Sequence, residues 1–201
     1  MRNPEITRQL IIDKSMGLFN IKGYQATSIS DITQATGITK GAIYANFNNK
    51  EEVAIAAFES ALGIVMKEIR EYIRSAPTAP LKLKAVLTYY EQYIGNPPIP
   101  GGCPVLNTAV EADDNYPQLR ARVVRLISQL KDALRQIVHR GIVEGQLQPD
   151  LDVDGFVMLF YAAIEGAIMV SRVEGDRESF RSVSHYLITI IDNYTLNKSN
   201  S

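Results

Sequence analysis

Residues Thr27 to Lys50, TSISDITQATGITKGAIYANFNNK, decide how this chain is read. Thr27 and Ser28 are good N-cap residues, and Ile29, Ile32 and Thr36 recur behind them at helical spacing. Gly37 supplies the left-handed residue that ends a helix. Only Ile38 and Thr39 then precede the next segment, with Thr39 placed to cap it. In that segment Ile43 and Phe47 stand four apart and face inward, while Lys40, Gly41, Tyr44 and Ala45 fall on the other side. Two short helices joined by a glycine-containing turn, the second with a small, cationic and phenolic outer face, form a helix-turn-helix.

That outer face suits DNA. Lys40, at the start of the helix, can reach a phosphate or a guanine edge. Gly41 and Ala42 carry almost no side chain, so the helix backbone can sit deep in a major groove. Tyr44 and Thr39 can offer hydroxyls to phosphates, as can the amides at the helix N-terminus. Asn48 and Asn49 form a turn, and Lys50 opens the next helix as a further phosphate partner. The alternative reading is a helical hairpin belonging to an unrelated core.

Gly23-Tyr24, Thr27-Ser28-Ile29, Asp31-Ile32, Ala35, Gly37-Ile38-Thr39-Lys40-Gly41, Ile43-Tyr44, Asn46-Phe47 and Lys50-Glu51 match a known unit in register. This stretch of about fifty residues resembles the N-terminal domain of tetracycline-repressor-type (TetR family) regulators. The resemblance implies an all-α protein. A helix-turn-helix DNA-binding domain would occupy residues 1–50, with its motif at about 28–47. A helical domain over residues 51–201 would bind a ligand and dimerise. Asn46 departs from the pattern, since the family usually has histidine there. Asparagine can still bond a phosphate or an adenine edge. The candidate DNA contacts are Thr27, Ser28, Thr39, Lys40, Gly41, Ala42, Tyr44, Asn46 and Lys50.

The rest of the chain agrees with a second domain. Its 201 residues exceed what a DNA-reading head needs, and 46% apolar with 21% charged residues describes an ordinary globular protein. The net charge of −1 divides unevenly. Residues 1–50 hold six Lys or Arg against three Asp or Glu, whereas residues 51–201 hold fifteen against nineteen. The basic character therefore sits with the motif, as phosphate binding requires. The single cysteine, Cys103, excludes an intramolecular disulfide. MRNPEITRQL lacks the apolar core of a signal peptide, and Phe156 to Val170 is too short to span a bilayer, so a cytoplasmic protein with no membrane partner is expected.

Helical segments are expected over Glu5–Phe19, Lys50–Arg74, Leu81–Ile94 and Pro104 to about Glu111. Others should run from Asn115-Tyr116-Pro117 to about Glu144, to near Val173 after Asp150–Asp154, and over Glu178–Tyr194. Ile6, Leu10, Ile11, Ile12, Met16 and Phe19 are expected to form the apolar face of the first. Lys50–Arg74 is expected to be the one continuous link between the two domains.

Small residues at Ala163, Gly166 and Ala167 permit close helix approach, and Leu187 and Ile191 give the last helix an apolar stripe. These five are the candidate homodimer interface, with an ordinary internal helix pair as the alternative. Tyr90, Cys103, Asn107, Tyr161 and Glu165 are candidates for effector binding. Cys103 reads either as a small buried residue at a helix start or as a thiol sensor activated by the helix dipole. GGCPVLNTAVEA also resembles a subgroup of the family with cysteine at this place, some of whose members respond to electrophiles. Glu165 in an apolar helix needs a partner, whether a cationic ligand, an ion pair or an interface hydrogen bond. The tyrosines read equally as core.

His139 and His185 show no metal-ligand spacing, and no phosphate-binding glycine loop is present, so neither metal nor cofactor is expected. The favoured reading is a non-enzymatic transcriptional regulator, a repressor released from double-stranded operator DNA by a small effector. The alternatives are a helical enzyme with an accessory DNA-binding domain and an architectural DNA-binding protein.

Overall fold

The computed structural model describes residues 4–196. They form nine helices: α1 (Pro4–Ala26), α2 (Ile29–Thr36), α3 (Lys40–Tyr44), α4 (Lys50–Ser75), α5 (Ala79–Gly95), α6 (Pro104–Asn115), α7 (Pro117–Val143), α8 (Val153–Glu174) and α9 (Glu178–Tyr194). Among the described residues there is no β-strand, only an isolated antiparallel bridge between Leu147 and Thr195.

Local chemistry sets the ends of the short helices. Ser28 has extended backbone and accepts from the N–H of Asp31, whose carboxylate accepts from the N–H of Ser28, a reciprocal capping box. Gly37, at φ 68°, closes α2 by donating its N–H to Thr33 O. Thr39 Oγ1 accepts from the N–H of Ala42 and starts α3. The first helix runs farther than Phe19: Gly23 (φ 82°, ψ 168°) breaks it, and one more turn follows to Ala26.

The chain packs as two compact units. One contains residues up to Met66 together with 98–125, and the other 67–97 together with the residues from Leu126 onward. Both α4 and α7 run through a unit boundary, so α4 is not the only continuous link. In the first unit Ile11, Ile12, Ile32, Ile43, Phe47 and Val53 form one buried cluster, with Leu18, Phe19, Ile29 and Ile38 packed against it. Ile6 does not join this core and is 63% exposed, because the cluster closes over Ile11 and Ile12 and leaves the first turn of α1 outside.

In the second unit α5, α8 and α9 pack on one another. Their interior holds Leu83, Leu87, Phe160, Ile168, Phe180, Leu187 and Ile191. The expected apolar segment is longer than Phe156–Val170, since α8 has 22 residues and is long and apolar enough to cross a membrane by length and composition alone. A core helix passes the same test. Phe156, Val157, Phe160, Ile164 and Ile168 are buried inside the protein, which accounts for much of that apolarity.

Candidate nucleic-acid interface

The inward face of α3 is fixed by Ile43 and, just beyond it, Phe47, both buried in the head cluster. Their burial forces Lys40, Gly41 and Tyr44 outward, and all three are exposed, as the sequence requires. Lys40 Nζ lies 5.8 Å from the centroid of the Tyr44 ring, so cation and phenol share one surface. A Cβ at Gly41 would meet nothing closer than Thr39 Oγ1 at 4.0 Å, so packing within the protein does not require a glycine there. Thr39 is exposed and Ala42 half-buried at the same helix start.

Beside α3 lies an open groove of about 710 Å³, formed by α2, the turn and α3, with Ser30, Thr33, Gln34, Thr39 and Lys40 along it. Ser30, Thr33 and Gln34 were not anticipated as contacts. Their signal lies in the spacing i, i+3, i+4, which places them together on the polar side of α2, away from buried Ile32.

Besides Thr39, whose hydroxyl caps α3, four residues in the candidate set hydrogen-bond internally through their side chains. Thr27 is fully buried, and its hydroxyl donates to Gly23 O at 2.7 Å and Leu18 O at 3.3 Å, so it fastens the end of α1 and offers nothing to DNA. Lys50 is also turned inward. Its ammonium donates to Tyr24 O (2.7 Å), Thr27 O (2.9 Å) and Gln25 O (3.4 Å), and it lies 4.4 Å from the Tyr24 ring centroid. An ammonium has three donors, and three carbonyls at the end of a helix occupy them. Asn46 commits its amide nitrogen to Ala42 O at 2.8 Å. Ser28 is exposed but its hydroxyl is bonded to Asp31. A hydrogen bond from Lys22, reinforced by those from Ser28, holds the Asp31 carboxyl well below the usual carboxylate range.

The effector candidates are distributed between the units: Cys103 and Asn107 in the first, Tyr90, Tyr161 and Glu165 in the second. Asn107 Nδ2 is shared among Asn20 O, Asn20 Oδ1 and Gly101 O at 2.9–3.0 Å. Cys103 is the N-cap of α6 and only 5% exposed, which favours the small buried residue over a thiol open to attack. Tyr90 packs edge-on to Tyr89 and Tyr93, with centroids 5.2 and 5.8 Å away. Tyr161 is half-buried, and Glu165 is buried on α8.

The interface candidates are sorted by burial. Ala167, Leu187 and Ile191 are 5%, 2% and 1% exposed within a single protomer, so they pack its own core and cannot meet a partner. Ala163 and Gly166 are half-buried, and a Cβ added at Gly166 would meet nothing within 4 Å. The exposed apolar side chains are instead Met158, Leu159, Met169 and Val173 on α8 and Tyr186 on α9.

Residues 11–57 match the family described as "Bacterial regulatory proteins, tetR family", and residues 79–187 match "Tetracyclin repressor-like, C-terminal domain". The fold is similar to that of a TetR transcriptional regulator from Chloroflexus aurantiacus J-10-FL, with 36% identity, TM-score 0.92, and 97% of this chain and 98% of that one covered. It is also similar to a TetR-family regulator from Cytophaga hutchinsonii, at 35% identity and TM-score 0.89 with 98% and 99% covered. Over 172 residues the chain is 24% identical to the HTH-type transcriptional repressor DhaR of Mycobacterium sp. (strain GP1), covering 85% of each.

Proposed function

The chain belongs to the TetR family of bacterial transcriptional regulators, and from that premise we propose that it works as a cytoplasmic homodimeric repressor released from operator DNA by a small molecule. As a member of that family it is a DNA-binding regulator and not an enzyme. The observation that carries the DNA reading is the outward face of α3. Lys40, Gly41 and Tyr44 are exposed over a rigid apolar anchor, on the part of the chain that holds its basic excess. Lys40, Gly41, Ala42, Tyr44 and Thr39 approach the major groove, with Ser30, Thr33 and Gln34 alongside.

One such helix reads too few base pairs for tight binding, so two heads must be joined about one helical turn of DNA apart. The joint is the apolar surface that α8 and α9 leave open. Met158, Leu159, Ala162, Gly166, Met169 and Val173 follow helical spacing along α8, and Tyr186 adds to the exposed apolar surface on α9. Monomeric proteins rarely leave large contiguous apolar patches in water. A second copy of the same surface, related by a two-fold axis, covers it.

Release by an effector is a coupling of two binding events. A ligand that lowers operator affinity about a hundredfold requires about 2.7 kcal/mol of coupling, and operator must weaken ligand binding by the same factor. The test is selection of bound duplexes from a genomic fragment pool, with and without candidate small molecules. Ligand affinity is then measured with and without the selected operator. Ligand affinity that operator leaves unchanged would show that the two sites are not linked.

A further inference from the structure

The break at Gly23 turns the N–H groups of Tyr24 and Gln25 away from ordinary helical pairing and towards α6. In an unbroken helix the N–H of Tyr24 would bond Asn20 O. With Gly23 at φ 82° those two groups part, and each is taken by a side chain of α6. Glu111 accepts the N–H of Tyr24 at 2.5 Å and that of Gln25 at 2.6 Å. Asn107, one turn earlier on α6, donates Nδ2 to Asn20 O at 3.0 Å. The spacing i, i+4 puts both on one face of α6, so a single helix supplies the acceptor and the donor that the break removed. Glycine suits position 23 for its positive φ, and a Cβ there would lie 2.7 Å from Glu111 Oε2 and displace that carboxylate.

The same turn is gripped from its other end. The carbonyls of Tyr24, Gln25 and Thr27 receive the Lys50 ammonium, and Asn20 Nδ2 donates to Pro100 O and Gly102 O at 2.8 Å each. A cavity of about 30 Å³, room for about one water, remains between Met16, Phe19, Ala57, Phe58, Thr108 and Leu119. Directional bonds to one short stretch therefore act beside apolar contact in holding α1 against α6. That stretch leads through Thr27 and Ser28 directly into α2 and so to α3.

We propose that Asn107 and Glu111 form a latch that sets the orientation of the DNA-reading helices on α6, and that Glu111 is a positioning residue for operator binding. A shift of α6 of more than about an ångström takes these bonds out of range, so the head must follow α6 or let go of it. The latch gives α6 a route to α3 that does not pass through α4. The proposal rests on the reading of α3 as the DNA-contacting helix.

The test uses the full-length protein carrying E111A or E111Q, a duplex selected from a genomic pool by the wild type, and a random duplex of equal length. In both variants the amides of Tyr24 and Gln25 should exchange about tenfold faster or more, while those of Ile32 and Ile43 stay protected. Glutamine does not rescue, because it presents an NH₂ to one of two N–H donors. Affinity for the selected duplex should fall about tenfold or more, with the random duplex within twofold of wild type. Should E111A expose the α2–α3 core, N107A decides by the same split between duplexes. Unchanged affinity for the selected duplex, or an equal loss on both, overturns the latch. A wild-type protein that selects no duplex overturns the reading of α3 instead.

Discussion

The helix-turn-helix and the α8–α9 pair bury apolar residues by the same physics, yet only the first declares which face goes inside. In the helix-turn-helix every apolar anchor has polar neighbours around it: Ile43 and Phe47 stand against Lys40, Gly41, Tyr44 and Asn46. One face can be buried and the other cannot. In α8 the choice is between two apolar faces, Phe156, Phe160, Ile164 and Ile168 on one and Met158, Leu159, Met169 and Val173 on the other. Burying either lowers the free energy in a similar way. A helix apolar all round is one that has two partners, its own protomer and, in the function proposed above, a second copy.

The sharpest way to break that comparison is to charge the second face of α8. Gly166→Arg adds a long cation where a Cβ meets nothing within 4 Å, so the protomer should fold while the subunits separate. With the heads no longer joined, operator affinity should fall about a hundredfold or more. Sedimentation gives the oligomeric state and a DNA titration the affinity. Leu187→Ala acts on the other face and should cost about 2–5 kcal/mol of protomer stability, read by chemical denaturation, as expected for a large-to-small change in a packed core. If Gly166→Arg stays dimeric with operator binding intact, the open face of α8 is not the joint.

The same contrast explains what could be read in advance. The last helix, Glu178 to Tyr194, begins and ends where its sequence places it, and the short helices carry their caps at Ser28 and Thr39. These depend on neighbours within a few residues. Leu187 and Ile191 form an apolar stripe that suits either an interface or an internal helix pair, and nothing local says whether such a stripe meets its own core or another chain. Lys50 and Asn107 escaped for a different reason. Their partners are backbone groups left by the end of α1 and by its break at Gly23, 23 to 87 residues away in sequence. A lysine at an exposed-looking helix start gives no sign of such carbonyls.

Two lysines that flank the reading helix sharpen this distinction. Lys40→Ala removes an exposed cation and should weaken binding to selected and random duplexes alike, reducing the slope of log affinity against log salt by about 0.9. Lys50→Ala leaves three helix-end carbonyls without their donor. It should cost about 1–3 kcal/mol of stability, with little change in the salt slope. Equal reductions in slope would mean that Lys50 leaves Tyr24 and Thr27 to meet a phosphate.

The smallest effect concerns the cap that begins the reading unit. Asp31 bonds Lys22, the Ser28 hydroxyl and the Ser28 N–H, all of which favour the carboxylate, and its carboxyl lies well below the usual range in the folded protein. Unfolding releases those partners, so below the ordinary carboxylate value of about 4 the unfolded chain binds more protons at this site than the folded one. The stabilisation is therefore complete above about pH 4 and is lost as pH falls from there towards the lowered folded value. Asp31→Asn removes the titrating group, so wild type should melt above the variant at neutral pH, and the gap should narrow as pH falls below about 4. High salt should reduce the gap modestly, because the Lys22–Asp31 pair at 2.8 Å is partly exposed. A gap unchanged down to pH 2.5 would mean that the substitution acts through lost shape, and that the charge of Asp31 contributes nothing to holding α2 at the foot of the reading helix.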